Sequence, residues 1–453
     1  MHRTRLTLPT LLAALLAAPP LAAVPTDDEK LASDDRMADL ERKVELLTDE
    51  LARTRQDMAV PEEPQELEGV WGLGPAASKV YGIGRGLSIG GYAESLYTAV
   101  VHDKRQSGDK NRFDALRAVI YTGYKFTDHI LFNAEFEFEH ATTSATESSG
   151  GGSVSVEFAA VDFLFRDEVN ARAGLLLVPM GFLNEIHEPP FYYGTNRPDV
   201  ERLIIPSTWR EGGAGLFGRI GDRVEYKLYA ITSMNAAGFD DSGLRGGRQN
   251  GNRALAEDLA FVGRLDFEPI PELLLGGSVF VGNTGQDQDL VNAAGVTIDL
   301  PNSRLLLWEA HSQLQAMGFR GRVLFTMAHV DDARQLTLAL RPSPGGTGDI
   351  GASEVIADDM LGVYGEVGYD VMQWIWPDSG WTVEPFVRAE YIDTQHAMPR
   401  GFSADETNEL RIYTAGISAK PIPNVVLKVD YRNRSSRKGR LGDEVNLGFG
   451  VVY

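Results

Sequence analysis

The last ten residues, EVNLGFGVVY (444–453), carry the pattern that decides the fold. Apolar side chains occupy every second position, at Val445, Leu447, Phe449, Val451 and Tyr453. A period of two places them all on one face of a β-strand, because successive side chains of a strand point to opposite faces. A strand with so long an apolar face aggregates if its edge is left open. We therefore predict that this strand closes a sheet by pairing with the first strand.

The same alternation recurs upstream, most plainly in ILFNAEFEFE (130–139). One face of this segment is apolar, whereas the other carries Asn133, Glu135, Glu137 and Glu139. Similar alternation marks 361–370 and 425–432. Sixteen strands are predicted, beginning near Leu87, Arg112, His129, Ser153, Val169, Ala214, Arg223, Glu257, Pro271, Arg304, Arg320, Met360, Thr382, Glu409, Val425 and Glu444.

The connections between the predicted strands alternate in length. Short ones such as Thr127-Asp128 and Gly221-Asp222 separate longer polar stretches such as 103–111 and 235–252. Tight turns therefore collect at one end of the sheet and long loops at the other, as in barrels that cross outer membranes. The sequence predicts an all-β fold, a 16-stranded antiparallel transmembrane β-barrel.

Composition and charge exclude several classes of protein. The chain of 453 residues has 43 basic against 64 acidic residues, which argues against binding to nucleic-acid phosphates. It has no cysteine, so disulfides, thiol catalysis and thiolate metal sites are excluded. The only long apolar run is 6–23, whereas a helical membrane bundle would need several such runs. A membrane role therefore requires strands.

The N-terminal part of the chain divides into three segments by composition. A basic start, an apolar run and small residues predict a signal peptide over 1–23. Apolar spacings of three and four predict a short coiled-coil helix within 24–60, at Met37, Leu40, Val44, Leu47, Leu51 and Met58. An amphipathic helix lying on the barrel or the membrane is the alternative. Prolines end the helix, and 61–85 is interpreted as a linker to the barrel domain, 86–453.

Four short motifs resemble a known family. They are Gly90-Gly-Tyr-Ala-Glu94, the run Pro179–Glu185 leading into His187-Glu-Pro-Pro190, Ile204-Ile-Pro-Ser-Thr-Trp-Arg210, and Leu427-Lys-Val-Asp-Tyr-Arg432. With the barrel pattern and the terminal aromatic residue, they resemble the bacterial outer-membrane porins called phosphate-selective porins O and P. The resemblance implies a homotrimer in outer-membrane lipid, with the N-terminal segment in the periplasm. It also implies a water-filled channel for small hydrophilic solutes or ions, narrowed by an inward-folded third outside loop.

The polar strand positions predict which charged side chains line the interior. The acids are Glu94, Glu135, Glu137, Glu139, Glu225, Asp266, Glu309, Glu366, Asp370, Glu384, Glu390 and Asp430. The bases are Arg117, Lys125, Lys227, Arg264, Arg388, Lys428 and Arg432. This excess of carboxylates attracts cations and repels anions, so we expect a general or mildly cation-selective pore and not the phosphate selectivity of the family it resembles.

Two details of the strand phase can be checked in a structure. Glu157 and Asp162 have opposite parity on the fourth predicted strand, which requires a β-bulge or a rim position there. Phe136 should face lipid and Glu137 the interior. We therefore expect Phe136→Arg to destabilise the barrel and Glu137→Arg to fold normally.

The third long connection, 184–213, is the predicted constriction. Its charged residues are His187, Glu188, Arg197, Asp199, Glu201, Arg202, Arg210 and Glu211. Mixed charges at a narrow point set a transverse field that discriminates between solutes. A surface loop packed on the rim, with these charges solvated, is the alternative.

Enzymatic and structural roles are the other functions considered. The sequence has no His-Glu-x-x-His motif, and its Gly-x-Ser-x-Gly match, Gly86-Leu-Ser-Ile-Gly90, lies at the start of a predicted strand and not on the strand-turn-helix elbow of a hydrolase. His311 shares an inward face with Glu309, and Asp240 and Asp287 belong to acidic loop tips that could bind calcium, but solvated side chains explain all of them more simply. We expect no catalytic residues, cofactor or resident metal. The alternative function is an outer-membrane tether or adhesin-like barrel whose N-terminal helix binds a periplasmic or cell-wall partner.

Overall fold

The computed structural model describes residues 38–50, 67, 69–102, 110–143, 151–291, 297–340 and 355–453. The chain divides into two compact units, 1–65 and 66–453. In the first unit, 38–50 form helix α1, on which Leu40, Val44 and Leu47 are exposed. Its association as a coiled coil stays a prediction. The proposed signal peptide and the rest of the heptad pattern lie outside the described residues.

The second unit is a barrel of antiparallel strands. Its strands are β1 (Gly86–Val100), β2 (Arg112–Thr127), β3 (Ile130–Glu139), β4 (Val154–Arg166), β5 (Val169–Leu177), β6 (Arg210–Ile220), β7 (Val224–Thr232), β8 (Leu259–Ile270), β9 (Leu273–Gly282), β12 (Leu305–Ala316), β13 (Phe319–Val330), β14 (Asp359–Tyr369), β15 (Thr382–Ala397), β16 (Glu409–Ile422), β17 (Val425–Ser436) and β19 (Glu444–Val452). Each begins within four residues of its predicted start.

Smaller elements lie in the connections. The short strands are β10 (Asp289–Val291), β11 (Thr297–Asp299) and β18 (Gly439–Arg440). The short helices are α2 (Pro75–Gly82), α3 (Asp199–Leu203), α4 (Ala333–Leu340) and α5 (Met372–Ile375). Single 3-10 turns occur at Pro189–Phe191, Ala236–Gly238, Arg245–Gly247, Pro377–Ser379 and Glu406–Asn408.

The sheet closes on itself through its first and last strands. β1 pairs with β2 on one side, with Tyr92 opposite Val119, and with β19 on the other, with Tyr92 opposite Val452. The terminal residue extends this seam, because the amide of Tyr453 donates to the carbonyl of Gly91 at 2.8 Å. The predicted closed barrel of sixteen antiparallel strands is confirmed.

The two faces of the barrel wall differ as the alternation predicts. On β3, Phe136 and Phe138 are exposed on the outer face, while Glu135 and Glu137 are buried on the inner face. An apolar outer face with charged residues inside is the pattern of a barrel that crosses a membrane. No helix among the described residues is long and apolar enough to span one.

The fourth strand contains the bulge that the sequence requires. In the pairing of β3 with β4, Glu135 lies opposite Phe158 and Phe136 opposite Val156, so one residue of β4 is inserted between them. That residue is Glu157, and it and Asp162 are both buried inside. The insertion lets two residues of opposite parity face the same side.

The segment interpreted as a linker has a different structure from the one expected. Residues 69–85 pack inside the barrel, and α2 lies against the inner faces of β1, β2 and β3. The sequence PAASKVYG (75–82) begins with proline at the first helical position, where its missing amide costs nothing. Its small residues allow the helix to approach the wall closely.

Candidate functional site

The barrel interior is the candidate site, and strand register shows which charged side chains point into it. Nearly all of the predicted lining residues do so: Glu94, Glu135, Glu137, Glu139, Glu225, Asp266, Glu309, Glu366, Glu384, Glu390 and Asp430 among the acids, and Arg117, Lys125, Lys227, Arg264, Arg388, Lys428 and Arg432 among the bases. Asp370 is the exception. It follows the end of β14, and its carboxylate accepts from the amides of Met372 and Val383 at 3.1 Å.

The predicted lining left out further charged residues that lie on the inner face. The additional acids are Glu157, Asp162, Glu211 and Glu444. The additional bases are Arg172, Arg219, Arg320, Arg322, Lys420 and Arg434. These additions contain more bases than acids. The numbers of acidic and basic side chains on the inner face are therefore closer to each other than the sequence predicted.

Many of these charges are paired across strands. Arg117 contacts Glu94 at 2.8 Å and Glu137 at 3.1 Å; both carboxylates are buried, and the arginine side chain is 11% exposed. An arginine at position 137 would bring a second guanidinium to Arg117 in a site shielded from water, where an unpaired charge is costly. With this contact known, we expect Glu137→Arg to destabilise the barrel and not to fold normally.

A long segment between β5 and β6, residues 178–209, crosses the interior of the barrel. Its side chains bond to opposite walls: Tyr192 donates to Glu94 of β1 at 2.8 Å, and Glu185 pairs with Lys227 of β7 at 2.7 Å. On a third side, the amide of Thr195 donates to Asp430 of β17 at 2.6 Å. Contacts to walls on several sides place the segment across the lumen and not on the rim.

The middle of this crossing segment is held by β13, β14 and β15. Arg388 donates to Glu366 at 2.9 Å, to the carbonyl of Asn196 at 3.0 Å and to the carbonyl of Tyr193. The Tyr193 ring stacks on Phe386 with centroids 5.1 Å apart. One arginine therefore ties the wall to two backbone positions of the segment.

The end of the crossing segment is held by apolar packing. Val200, Ile204 and Ile205, in and after α3, belong to a buried cluster with inward residues of the wall, namely Leu305, Leu307, Leu324, Ala328, Met360, Ile392 and Ile412. On β14, a side chain at Gly362 would come within 2.8 Å of Val200. This end of the crossing segment and the facing wall thus form one buried hydrophobic cluster inside the barrel.

The charged residues predicted for the constriction occupy different environments. His187, Glu188, Asp199 and Glu201 are buried within the crossing segment, whereas the side chain of Arg202 is half exposed. Arg197 lies near the buried Tyr92, Glu135 and His187, and two of its guanidinium nitrogens have no hydrogen-bond partner within the described structure. Arg210 and Glu211 begin β6 and are not part of the loop.

Burial sets the charge state of two neighbouring residues of the crossing segment, His187 and Glu188. Desolvation, followed by the nearby Arg197 and Arg117, lowers the pKa of His187 to about 3, so this imidazole is neutral at pH 7. Burial and then Glu135 raise the pKa of Glu188 to about 8. The Glu188 carboxyl lies 3.3 Å from the amide of Ala76 at the start of α2. The crossing segment therefore meets the start of the helix through a Glu188 carboxyl that is largely protonated at pH 7.

The raised pKa of Glu188 predicts a pH dependence of stability. Its ordinary value is 4.5, so between pH 4.5 and about 8 the folded protein holds a proton that the unfolded chain has lost. The free energy of unfolding should therefore fall as pH rises through this window, by a few kcal/mol at most. Glu188→Gln should make that fall shallower in denaturant titrations, whereas Glu272→Gln in an exposed turn should leave it unchanged. An unchanged slope in Glu188→Gln would contradict the assignment.

A network of paired side chains surrounds His311. Its ring nitrogens lie 2.8 Å from Glu309 and 2.9 Å from Asp266, and Arg264 contacts Asp266 at 2.7 Å. Across the described ranges, no three His, Asp or Glu side chains are placed to hold a metal ion. At the acidic loop tip, Asp240 accepts from Ser242.

Comparison of sequences identifies a relative of nearly the same length. Over 371 residues, 81% of this chain and 80% of the relative, the chain is 36% identical to an uncharacterized protein of Aquifex aeolicus (strain VF5). This chain belongs to that protein's family. No family model matches the chain.

Solved structures with the same fold are outer-membrane barrels. OmpF of Salmonella typhi, solved in complex with daunomycin, is 12% identical, with a TM-score of 0.50 over 82% of this chain and 98% of that one. The outer-membrane channel DcaP of Acinetobacter baumannii is 10% identical, with a TM-score of 0.50 over 81% and 97%. At such identities the likeness concerns the fold, which is the porin fold.

Proposed function

We propose that the protein is a channel in the bacterial outer membrane through which small hydrophilic solutes diffuse passively. The observation that carries this proposal is a closed barrel with an apolar outside and a charged inside, crossed by one segment that narrows the lumen without belonging to the wall. Such a segment restricts passage by size and charge. The four short sequence motifs additionally favour kinship with the family of phosphate-selective porins O and P.

A liposome-swelling assay tests the channel. Vesicles that contain the protein should swell in neutral sugars at a rate that falls steeply with sugar size, and planar bilayers should show discrete conductance steps. A barrel that inserts into lipid but passes neither sugar nor ions would instead favour the tether. The exposed apolar residues Leu40, Val44 and Leu47 of α1 would be the natural surface for its periplasmic or cell-wall partner.

We further propose a mild preference for cations. Glu135, Glu137 and Glu139 form an acidic strip on the inner face of β3, although the wall as a whole is near balance. Replacing the three with Gln removes negative charge with little change in size, so the reversal potential under a salt gradient should shift toward anions. Asp299→Asn in the β10–β11 hairpin is the matched control. A wild-type pore that prefers phosphate to potassium would refute the proposal.

The proposed assembly is a homotrimer in outer-membrane lipid, with residues 1–23 removed and the N-terminal segment in the periplasm. If α1 forms a coiled coil, deletion of 24–60 should lower the melting temperature of the trimer in detergent by several degrees, because the heptad contacts are lost. Conductance should stay the same, since the barrel unit 66–453 is intact. An unchanged melting temperature would favour a helix that lies on the membrane or binds another partner.

A further inference from the structure

The N-terminal part of the second unit occupies the barrel lumen at the end that carries the short turns. α2 packs with Tyr92, Val119 and Tyr121, which all point inward from β1 and β2. Farther along the wall, the Trp71 ring meets Phe217 of β6 at a centroid distance of 5.3 Å. Residues 69–85, the plug segment, therefore extend from β1 to β6 across one side of the lumen.

Side chains of the wall hold the plug segment by its backbone. Lys125 donates to the carbonyls of Tyr81 at 3.1 Å and Ile83 at 2.8 Å, which are carbonyls at the end of α2 that have no partner within the helix. Asn133 donates to the carbonyl of Ala77 at 2.8 Å. Inward-pointing cations at the negative end of a helix dipole stabilise its docking.

A buried triad fixes the end of the helix to β4 and β5. The Tyr81 hydroxyl lies 2.5 Å from Asp162 and 2.9 Å from Arg172, and Arg172 contacts Asp162 at 2.7 Å. Without Tyr81 this buried ion pair would still be complete. The Asp162–Arg172 ion pair therefore belongs to the wall, and Tyr81 of the plug segment binds to it as a third partner.

The wall is also shaped to receive the helix. On β2, a Cβ added to Gly123 would lie 2.5 Å from Cβ of Val80, and on β1 one added to Gly90 would lie 2.5 Å from the carbonyl oxygen of Ala76. Only glycine at these inward positions allows the helix to approach so closely. The docking surface thus matches α2 in shape as well as in hydrogen bonding.

The plug segment can leave without breaking the barrel. It shares no ladder hydrogen bonds with the sheet, its described contacts to the wall are made by side chains, and it joins β1 only at Gly86. At its other end the chain continues into the first unit, 1–65. We propose that the plug segment is a displaceable gate that narrows the lumen when docked and widens it when released. The proposal rests on the proposed channel function.

A disulfide that locks the helix to the wall tests the gate. The chain has no cysteine, so Val80→Cys with Gly123→Cys supplies the only two thiols. The two Cβ atoms of a disulfide are about 3.8 Å apart, whereas these two positions would be 2.5 Å apart. A shift of the helix by about 1 Å away from the wall therefore allows the bond to form. Oxidised protein should show only the lower of two conductance levels in planar bilayers. Dithiothreitol should restore switching to the higher level, and deletion of 69–83 should leave the higher level alone. The controls are the same double variant kept reduced and Val80→Cys alone, which leaves Gly123 in place.

A second variant does not depend on the cross-link. Lys125→Met removes two hydrogen bonds of a charged donor, so the time spent in the higher level should rise about tenfold. Lys110→Met, exposed before β2, should change nothing. If every variant showed a single conductance level, and neither reduction nor Lys125→Met changed it, the plug segment would be a fixed part of the lining. No current even after deletion would instead refute the channel itself.

Discussion

Arg388→Met should both destabilise the folded protein and widen the pore. Arg388 is buried, pairs with Glu366 at 2.9 Å, and donates to the carbonyls of Tyr193 and Asn196 in the crossing segment. Methionine keeps the length of the side chain but leaves Glu366 as an unpaired buried charge, which costs about 3 to 5 kcal/mol. We expect denaturant unfolding to show this loss and single-channel recordings to show higher, noisier conductance.

Two variants separate the two effects of that change. Arg388→Met with Glu366→Gln removes the unpaired charge, so it should regain much of the stability while conductance stays high. Arg411→Met removes an exposed arginine that pairs with Glu409 on the outer rim, and it should cost at most about 1 kcal/mol. If Arg388→Met left conductance unchanged, the crossing segment would not depend on this arginine for its position.

The sequence could predict the barrel because its side-chain period is unambiguous. In β3 the alternation of Phe136 and Phe138 with Glu135 and Glu137 fixes which face is buried, and a slip of one residue would reverse every side chain. The same rule located the bulge, since Glu157 and Asp162 could not share a face without an inserted residue. Phase and strand positions therefore follow from local sequence alone.

The interior could be predicted only in part, because distant contacts determine it. On β13, Leu324 and Ala328 face inward beside Arg320 and Arg322, since the upper half of this strand packs against the crossing segment. Where a strand is apolar on both faces, as in this part of β13, alternation does not show which residues point inward. Arg320 and Arg322 were therefore not assigned to the inner face. The helix in 75–82 was missed for a related reason, because lumen contacts and not its short, small-residue sequence hold it in place.

The strongest test of the membrane face is Phe136→Arg. Phe136 lies near the middle of β3 and is exposed on the outer face, where arginine must leave water for hydrocarbon. Near the midplane this should lower the free energy of unfolding from lipid by about 2 to 4 kcal/mol. Phe136→Leu should cost much less, because leucine stays apolar. Chemical denaturation in phospholipid vesicles measures both.

A second variant at a different depth in the bilayer is the control. Its cost should differ from that of Phe136→Arg only if the outer face contacts lipid. Phe138 points to the same face as Phe136 but lies one residue from the end of β3, where we expect the strand to be nearer the interface. The cost of arginine falls to about 0 to 1 kcal/mol there, because its long side chain can reach water. In lipid, Phe138→Arg should therefore lower the free energy of unfolding less than Phe136→Arg does. If water surrounded this face instead, the two variants should have similar costs. Equal costs in lipid would mean that this face of β3 does not contact the hydrocarbon core.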